Sequence, residues 1–196
     1  MTEHYFSEKP TAKLKLKIIT EFLREKEHSF YTAAGVFSKS KVDFGTKLLA
    51  NKMLIGEHDT VLDLGCGIGV IGRLAAEITD NQVTLVDINQ RACKMARMNT
   101  KGLKNTKVLS GDKYEPVKTK KFDAILLNPP QTAGKKTCFE MIEDAKKHLN
   151  KGGTLQIVAR HNKGGKTLSE KMEETFGNLE TVSKRGGYRI YLSRLE

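Results

Sequence analysis

From residue 60 onward, short apolar runs alternate with longer segments that have helical spacing. The apolar runs predict buried strands at residues 60–64, 83–86, 107–109, 122–127 and 154–159, and the segments between them predict helices at 69–78, 89–99 and 137–149. Strands and helices that alternate in this way indicate an α/β domain in which helices cover both faces of a mostly parallel sheet.

The C-terminal part departs from this alternation. Residues 179–184 and 188–192 are two further apolar runs, and they flank Arg185-Gly186-Gly187. Two strands joined by such a short glycine turn pair antiparallel. We therefore predict a seven-stranded sheet that ends in an antiparallel hairpin.

The N-terminal part also differs from the rest of the chain. Apolar residues between 14 and 23 have helical spacing within a Lys/Glu-rich stretch, and residues 45–53 predict a further helix. We expect a basic helical extension over residues 1–29, followed by one α/β domain over residues 30–196.

The composition narrows the possible classes of protein. The chain has 196 residues, of which 38% are hydrophobic, and no apolar run approaches the roughly 20 residues of a membrane helix. The N-terminus lacks the basic and then apolar layout of a secretion signal, so we expect a cytoplasmic protein without a membrane partner. Cys66, Cys93 and Cys138 are far apart and lack CxxC spacing, which argues against a disulfide scaffold and against a metal site.

The charge is less ordinary than the composition. Lys and Arg number 34 against 23 Asp and Glu, which gives a formal net charge of +11. A basic balance favours binding to a polyanion, because each Lys or Arg near a phosphate releases a condensed counterion. Since many small basic proteins bind no nucleic acid, the motifs have to decide whether RNA is the partner.

A glycine-rich turn between a strand and a helix is the first candidate site. Gly65, Gly67 and Gly69 follow the predicted strand at alternate positions, where glycine lets the backbone turn sharply and approach a ligand. The helix that follows offers unpaired N–H groups at its N-terminus. This pattern predicts a nucleotide-cofactor site at the carboxyl edge of the sheet.

Two cofactors are candidates for this site. Gly67, Gly69 and Gly72 formally satisfy the GxGxxG pattern of NAD-binding proteins. Asp63, two residues before Gly65, would face a pyrophosphate unfavourably but suits a ligand that carries an ammonium group. S-adenosylmethionine is such a ligand.

Two more acidic residues follow the second and third strands of the alternating part. Asp87 lies about 20 residues beyond the loop, where a carboxylate accepts hydrogen bonds from the ribose of either cofactor. It is alternatively a cap for the helix that begins near Asn89. Asp112 follows the third strand, where a polar side chain can reach an adenine amino group.

Asn128-Pro129-Pro130 follows the fourth strand and is the candidate reacting centre. The prolines lack N–H donors and make the turn rigid, so the Asn128 side-chain oxygen and the nearby carbonyls are presented as acceptors. Two acceptors would hold both hydrogens of an exocyclic base amine and direct its lone pair at an electrophilic methyl group. A simple strand-terminating turn is the alternative.

These motifs together resemble those of a class I S-adenosylmethionine-dependent methyltransferase that acts on a planar amine. More specifically, the chain is similar to the "methyltransferase small" family, which includes ribosomal RNA small-subunit methyltransferase C, a guanine-N2 enzyme. Several further segments carry this resemblance: Gly35-Val36-Phe37-Ser38 with Asp43 and Gly45, His148-Leu149-Asn150-Lys151-Gly152-Gly153, Phe176-Gly177 and Gly187-Tyr188.

The resemblance implies a Rossmann-like fold, S-adenosylmethionine as cofactor, and methylation of an exocyclic base amine of RNA, with guanine N2 of ribosomal RNA as the leading target. It assigns catalysis to Asn128, Pro129 and Pro130. It assigns cofactor binding to Phe37, Asp63, Gly65, Gly67, Gly69, Asp87, Ile88, Asp112 and Asn128.

Two departures from the family pattern matter for the target. The bacterial family member has a second, degenerate methyltransferase-like domain, whereas this chain has a short basic extension. Amine methyltransferases usually have Tyr or Phe after Asn-Pro-Pro to stack on the base, and this chain has Gln131 there. Phe37 and Tyr31 are the candidates for the missing stacking residue.

Basic residues after the fourth and fifth strands are the candidate RNA contacts. Lys135, Lys136, Lys163 and Lys166 are expected at the active edge, with Lys184, Arg185 and Arg189 farther off. Adenine-N6 methylation, protein-glutamine methylation and a catalytically inactive RNA-binding module remain alternative functions.

Overall fold

The computed structural model describes residues 15–36, 41–129 and 134–196. The elements in chain order are strands β1 (Leu16–Leu23) and β2 (Lys26–Ala33), helix α1 (Phe44–Lys52), β3 (Val61–Leu64), α2 (Val70–Ala76), β4 (Val83–Asp87), α3 (Gln90–Asn99), β5 (Thr106–Ser110), β6 (Phe122–Leu127), α4 (Lys135–Ala145), β7 (Leu149–Arg160), α5 (Lys166–Phe176), β8 (Glu180–Arg185) and β9 (Tyr188–Arg194).

Seven of the strands form one sheet in the order β5-β4-β3-β6-β7-β9-β8. The strands from β5 to β7 are parallel, and Leu64 of β3 pairs with both Val86 of β4 and Leu127 of β6. Helices α1, α2 and α3 contribute to the hydrophobic core on one side, and α4 and α5 contribute to a second core. The predicted seven-stranded, mostly parallel α/β fold is therefore confirmed.

The predicted C-terminal hairpin is also confirmed. Strand β9 pairs antiparallel with both β7 and β8, and Arg185 and Tyr188 are partners on either side of the Gly186-Gly187 turn. The sequence pattern missed α5 before this hairpin. Its buried residues, which include Leu168, Met172 and Phe176, have the spacing that would have revealed the helix.

The predicted helix near the N-terminus is wrong, because residues 16–33 form an antiparallel hairpin of β1 and β2. Arg24 and Glu25 form its turn with positive φ angles of 46° and 64°. Leu23 and Phe30 are fully buried against the domain, so tertiary packing selects the strand pairing over the local helical spacing. The expected boundary between residues 29 and 30 falls inside β2.

Candidate active site

The ends of β3, β4, β5 and β6 bring the predicted site residues to one edge of the sheet. Gly65 follows β3, Asp87 ends β4 and pairs with Ser110 at the end of β5, and Asn128 follows β6. Because these strands are parallel and in register, their carboxyl ends lie side by side. The described parts of the predicted cofactor site and reacting centre are thus neighbours. Phe37 and Pro130 lie outside the described residues.

The glycine loop has the geometry that the sequence predicts. Gly65, Gly67 and Gly69 all have positive φ, at 69°, 55° and 82°, which side chains rarely adopt. A Cβ at Gly65 or Gly67 would project into open space, so a ligand can approach the backbone there. At Gly72, by contrast, a Cβ would lie 2.5 Å from Leu85, and this glycine allows α2 to pack closely on the sheet.

Asp63 is buried beneath this loop. Its exposed fraction is 1%, and its Oδ2 accepts a hydrogen bond of 2.7 Å from the Gly72 backbone N–H in α2. Burial raises the pKa of the carboxyl to about 7, and the Gly72 N–H opposes that rise. Asp63 therefore holds the first turn of α2, and its binding to an ammonium group stays a prediction.

Asp87 links the loop to the end of β4. Its Oδ2 accepts from the Gly67 N–H and its Oδ1 accepts from the Asn89 N–H, each at 2.8 Å. Burial raises the pKa of this carboxyl, while the two N–H donors oppose the rise. Each oxygen has a second lone pair with which to accept a ribose hydroxyl.

The cap of α3 is Asn89 rather than Asp87. The Asn89 side-chain oxygen accepts from the N–H groups of Arg91 and Ala92 at 2.9 and 3.0 Å. Its Nδ2 donates to the Gly35 carbonyl at 3.0 Å, which attaches the segment before Phe37 to the end of β4. The alternative capping role for Asp87 is therefore filled by its neighbour, and Asp87 is engaged with the loop.

Ile88 and Asp112 lie at the same edge as Asp87. Ile88 is partly buried directly after β4. Asp112 is exposed after β5, and the preceding Gly111 N–H donates to the Asp87 carbonyl at 3.1 Å. This hydrogen bond joins the loop after β5 to the end of β4. Contact of the Ile88 or Asp112 side chain with a cofactor stays a prediction.

Asn128 has its side-chain amide oriented by residues of another segment. Its Nδ2 donates to Thr46 Oγ1 at 3.0 Å and to Asp43 Oδ1 at 3.3 Å. A carboxylate only accepts hydrogen bonds, so the group that faces Asp43 is the amide nitrogen. Asp43 is itself the N-cap of α1 and accepts from the Thr46 N–H. The Asn128 Oδ1 is thereby left as an acceptor.

An aromatic pair adjoins this acceptor. Phe44 and Tyr188 have ring centroids 5.3 Å apart, and their planes are tilted by 43°. A Cβ built on Gly45 would lie 3.2 Å from Tyr188 Cε1 and 3.5 Å from Asn128 Oδ1, so the ring and the amide border the same small space. Tyr31, by contrast, has its backbone bonded to Asn99 of α3.

The predicted basic residues lie in the segments and helix starts that follow β6 and β7 at this edge. Lys135 and Lys136 begin α4 after β6, and Lys163 and Lys166 follow β7, all with exposed or partly exposed side chains. Lys166 has an ion pair of 3.8 Å with Glu170. Their contact with RNA stays a prediction.

Sequence reasoning gave no role to Asp43, Thr46, Phe44 or Tyr188. Asp43 and Tyr188 belong to segments that carry the family resemblance, and this was the available signal. Spacing along the chain gives no hint that Asp43 and Thr46 contact Asn128, which is 85 residues from Asp43 and 82 from Thr46.

The sequence matches the methyltransferase small domain family over residues 27–192. It is 38% identical over 195 residues to the uncharacterized protein YbxB of Bacillus subtilis, and the alignment covers 97% of both chains. It is 34% identical over 185 residues to ribosomal RNA small subunit methyltransferase C of Haemophilus influenzae. That alignment covers 88% of this chain and 55% of the enzyme, so the chain spans about half of that relative's length.

Among solved structures, the fold is similar to a T. thermophilus 16S rRNA N2 methyltransferase in complex with AdoMet and guanosine. The TM-score is 0.80 at 24% identity, and the match covers 95% of this chain and 52% of that one. At this identity the likeness shows the fold, which is Rossmann-like.

Proposed function

The chain belongs to the methyltransferase small domain family, whose methyl donor is S-adenosylmethionine, and we propose that it methylates an exocyclic base amine of RNA, with guanine N2 of ribosomal RNA as the target. The family decides the choice between the two cofactors in favour of S-adenosylmethionine. The observation that carries the proposed reaction is the orientation of the Asn128 amide by Asp43 and Thr46.

The described residues fit S-adenosylmethionine. Gly65 and Gly67 leave open space above a backbone with positive φ, so the loop admits a ligand at close range. Asp87 presents carboxylate oxygens at the end of β4, where ribose hydroxyls donate to an acidic side chain. When bound, S-adenosylmethionine supplies an electrophilic methyl group.

Asn128 would act on the target amine by positioning it. Oδ1 accepts one N–H of the amine, and a backbone carbonyl of the Asn128–Pro129 turn is available for the other. This arrangement directs the nitrogen lone pair away from both acceptors and towards the methyl group. The amine has to give up one proton, and it becomes acidic only as its new bond to carbon forms, so this proton can pass to water and the site needs acceptors rather than a strong base.

Orientation of the Asn128 amide is the contribution of α1. If the amide turned over, its nitrogen would face the target amine, and a donor would meet a donor. Asp43 opposes that rotation because its carboxylate would then face the amide oxygen. The cap of α1 thus keeps the Asn128 Oδ1 pointing towards the target amine. The amide therefore does not have to reorient during the reaction.

Charge and family relatives support RNA as the substrate. The net charge of +11 favours a polyanion, and the H. influenzae relative is named for ribosomal RNA. Adenine N6 and protein glutamine present a comparable planar amine to the same acceptor, so they are the competing targets in the test below.

The test is direct identification of the methylated product. The protein is incubated with radiolabelled S-adenosylmethionine and, separately, ribosomal subunits, naked rRNA, tRNA, DNA and a ribosomal protein mixture, and the products are digested and analysed by mass spectrometry. We expect N2-methylguanosine from a ribosomal substrate. Detection of N6-methyladenosine would change the proposed target from guanine N2 to adenine N6. Label found only in protein would overturn the proposal that the substrate is RNA.

A further inference from the structure

A pocket lies at the same end of the sheet as the candidate active site, between the end of β7 and the turn that joins β8 to β9. Its volume is about 310 Å³. The residues that line it are His161, Asn162, Lys184, Arg185, Gly186, Gly187, Tyr188 and Arg189. The three basic residues expected farther from the edge therefore all line this pocket.

The pocket has an excess of positive charge. Within the described part of the chain, no carboxylate forms an ion pair with Lys184, Arg185 or Arg189. Burial, and then the charges of Arg189, Lys166 and Lys184, lower the pKa of His161. The imidazole is therefore neutral near pH 7, and the positive charge of the pocket comes from its Lys and Arg residues.

The backbone of the pocket is fixed and accessible. Gly186 and Gly187 have positive φ angles of 57° and 77°, and a Cβ at Gly187 would meet only Arg160 Nε, at 4.0 Å. The His161 N–H donates to the Gly187 carbonyl at 2.9 Å, and the His161 Nδ1 lies 2.7 Å from the Tyr191 hydroxyl. These hydrogen bonds join the end of β7 to β9 and its turn, so they hold the backbone that carries the basic residues in place.

A single aromatic ring separates this pocket from the acceptor that would hold the target amine. Tyr188 lines the pocket, and its Cε1 borders the Gly45 position that also faces Asn128 Oδ1. Phe44, which packs on Tyr188, also lies against Gly186, where a Cβ would be 3.0 Å from the Phe44 ring. The pocket and the proposed acceptor therefore lie on either side of Tyr188, close enough for one RNA strand to reach both.

We propose that the pocket binds a phosphodiester group of the substrate strand next to the methylated nucleotide, through Lys184, Arg185 and Arg189. This proposal rests on the proposed RNA substrate. Arginine binds phosphate through paired N–H donors, and lysine adds a point charge, so the set matches a phosphate in charge and in donors. Such contacts fix the register of a strand without reading its sequence.

The test compares two double variants that lose the same charge. Lys184→Gln with Arg185→Gln removes two cations from the pocket, and Lys120→Gln with Lys121→Gln removes two exposed cations before β6, at the opposite edge of the sheet. Methylation of the RNA identified above is measured at several salt concentrations, together with S-adenosylmethionine affinity and thermal stability.

The pocket variant is expected to raise the KM for RNA roughly 10-fold and to reduce the slope of log KM against log salt by about 1. Its S-adenosylmethionine affinity and thermal stability should match those of wild type, and the control variant should change KM much less. Equal effects of the two variants would overturn the proposal, because the loss would then come from overall charge.

The remaining outcomes separate this proposal from the proposed function. If wild type methylates RNA and the pocket variant has the same KM and salt slope, the pocket proposal alone fails. If wild type methylates no RNA, both fail. Inorganic phosphate, added at constant ionic strength, is the second probe. If phosphate inhibits methylation by wild type but not by the pocket variant, while the variant has an unchanged KM for RNA, the pocket binds free phosphate and the proposal is overturned.

Discussion

The proposed cofactor half and the proposed substrate half of the candidate active site are held together by different kinds of contact. In the cofactor half, the carboxylates of Asp63 and Asp87 accept from backbone N–H groups of the adjoining loop and helix. In the substrate half, Asn128 is held by the side chains of Asp43 and Thr46, more than 80 residues away along the chain (85 and 82). Substitutions in the first half should therefore affect folding or cofactor affinity, and those in the second should affect turnover.

The largest expected effect is on turnover, at Asn128. Asn128→Ala removes the proposed acceptor and should lower kcat by roughly 10²–10³, which corresponds to about 3–4 kcal/mol for a positioned polar contact. S-adenosylmethionine affinity should change little, because Asn128 is proposed to hold the target amine. Single-turnover methylation, with calorimetry of cofactor binding, measures both quantities.

Asn128→Asp is the companion variant. It keeps an acceptor oxygen but places a carboxylate beside Asp43, so it should retain more activity than the alanine variant and less than wild type. If both variants methylate at the wild-type rate, the segment is only a turn, and the contrast between the two halves disappears.

The next effect is on folding, at Asp63, and depends on pH. The unfolded carboxyl ionises near 3.8, whereas burial raises its pKa in the folded protein to about 7. Between those values the folded state binds a proton that the unfolded state has lost, so the free energy of unfolding falls as pH rises. Asp63→Asn removes this dependence and keeps an acceptor for the Gly72 N–H.

Urea denaturation of the cofactor-free proteins measures this dependence. From pH 5 to pH 8, wild type should lose about 2–3 kcal/mol of unfolding free energy relative to Asp63→Asn. Glu180→Gln, at an exposed carboxylate in β8, is the matched control and should follow wild type. Parallel curves for wild type and Asp63→Asn would mean that the buried carboxyl ionises as in the unfolded chain.

A smaller effect is expected on cofactor affinity, at Asp87. Asp87→Ala removes the acceptor that suits ribose hydroxyls and also the acceptor of the Gly67 N–H, and it should cost about 1–3 kcal/mol of S-adenosylmethionine affinity. Calorimetry gives the affinity. Asp112→Ala is the comparison at the same edge, since no hydrogen bond between the Asp112 side chain and the glycine loop is seen among the described residues. An equal loss of cofactor affinity in both variants would contradict a specific role for Asp87.

The same contrast explains how much the sequence could predict. The proposed cofactor half lies in the continuous stretch 61–89, where strand, glycine turn and acidic residue follow one another, so local pattern was sufficient to predict its backbone geometry. The contacts of Asn128 with Asp43 and Thr46 depend on how α1 packs against the end of β6, and no local periodicity contains that information.

The prediction of a helix near the N-terminus failed for a related reason. Leu16, Ile19 and Leu23 have helical spacing, yet Ile19, Glu21 and Leu23 also alternate as in a strand, and these are the more buried positions of β1. Both patterns were present in the sequence. Pairing with β2 and packing of Leu23 against the domain decided between them.

The smallest effect is expected at Thr46, and it tests whether the side-chain contact or merely the fold of α1 orients the acceptor. Thr46→Val keeps the branched shape and the backbone N–H that Asp43 caps, but it removes the hydroxyl that accepts from Asn128 Nδ2. We expect kcat to fall roughly 10-fold, about 1–1.5 kcal/mol for one hydrogen bond, with the KM for RNA unchanged. Thr46→Ser restores the hydroxyl and should restore kcat even if it lowers thermal stability. A purely structural role predicts the opposite order of activities: Thr46→Val would be active, and any loss of kcat would follow a loss of thermal stability. Steady-state kinetics and thermal melting of the two variants together decide whether Thr46 positions the amide.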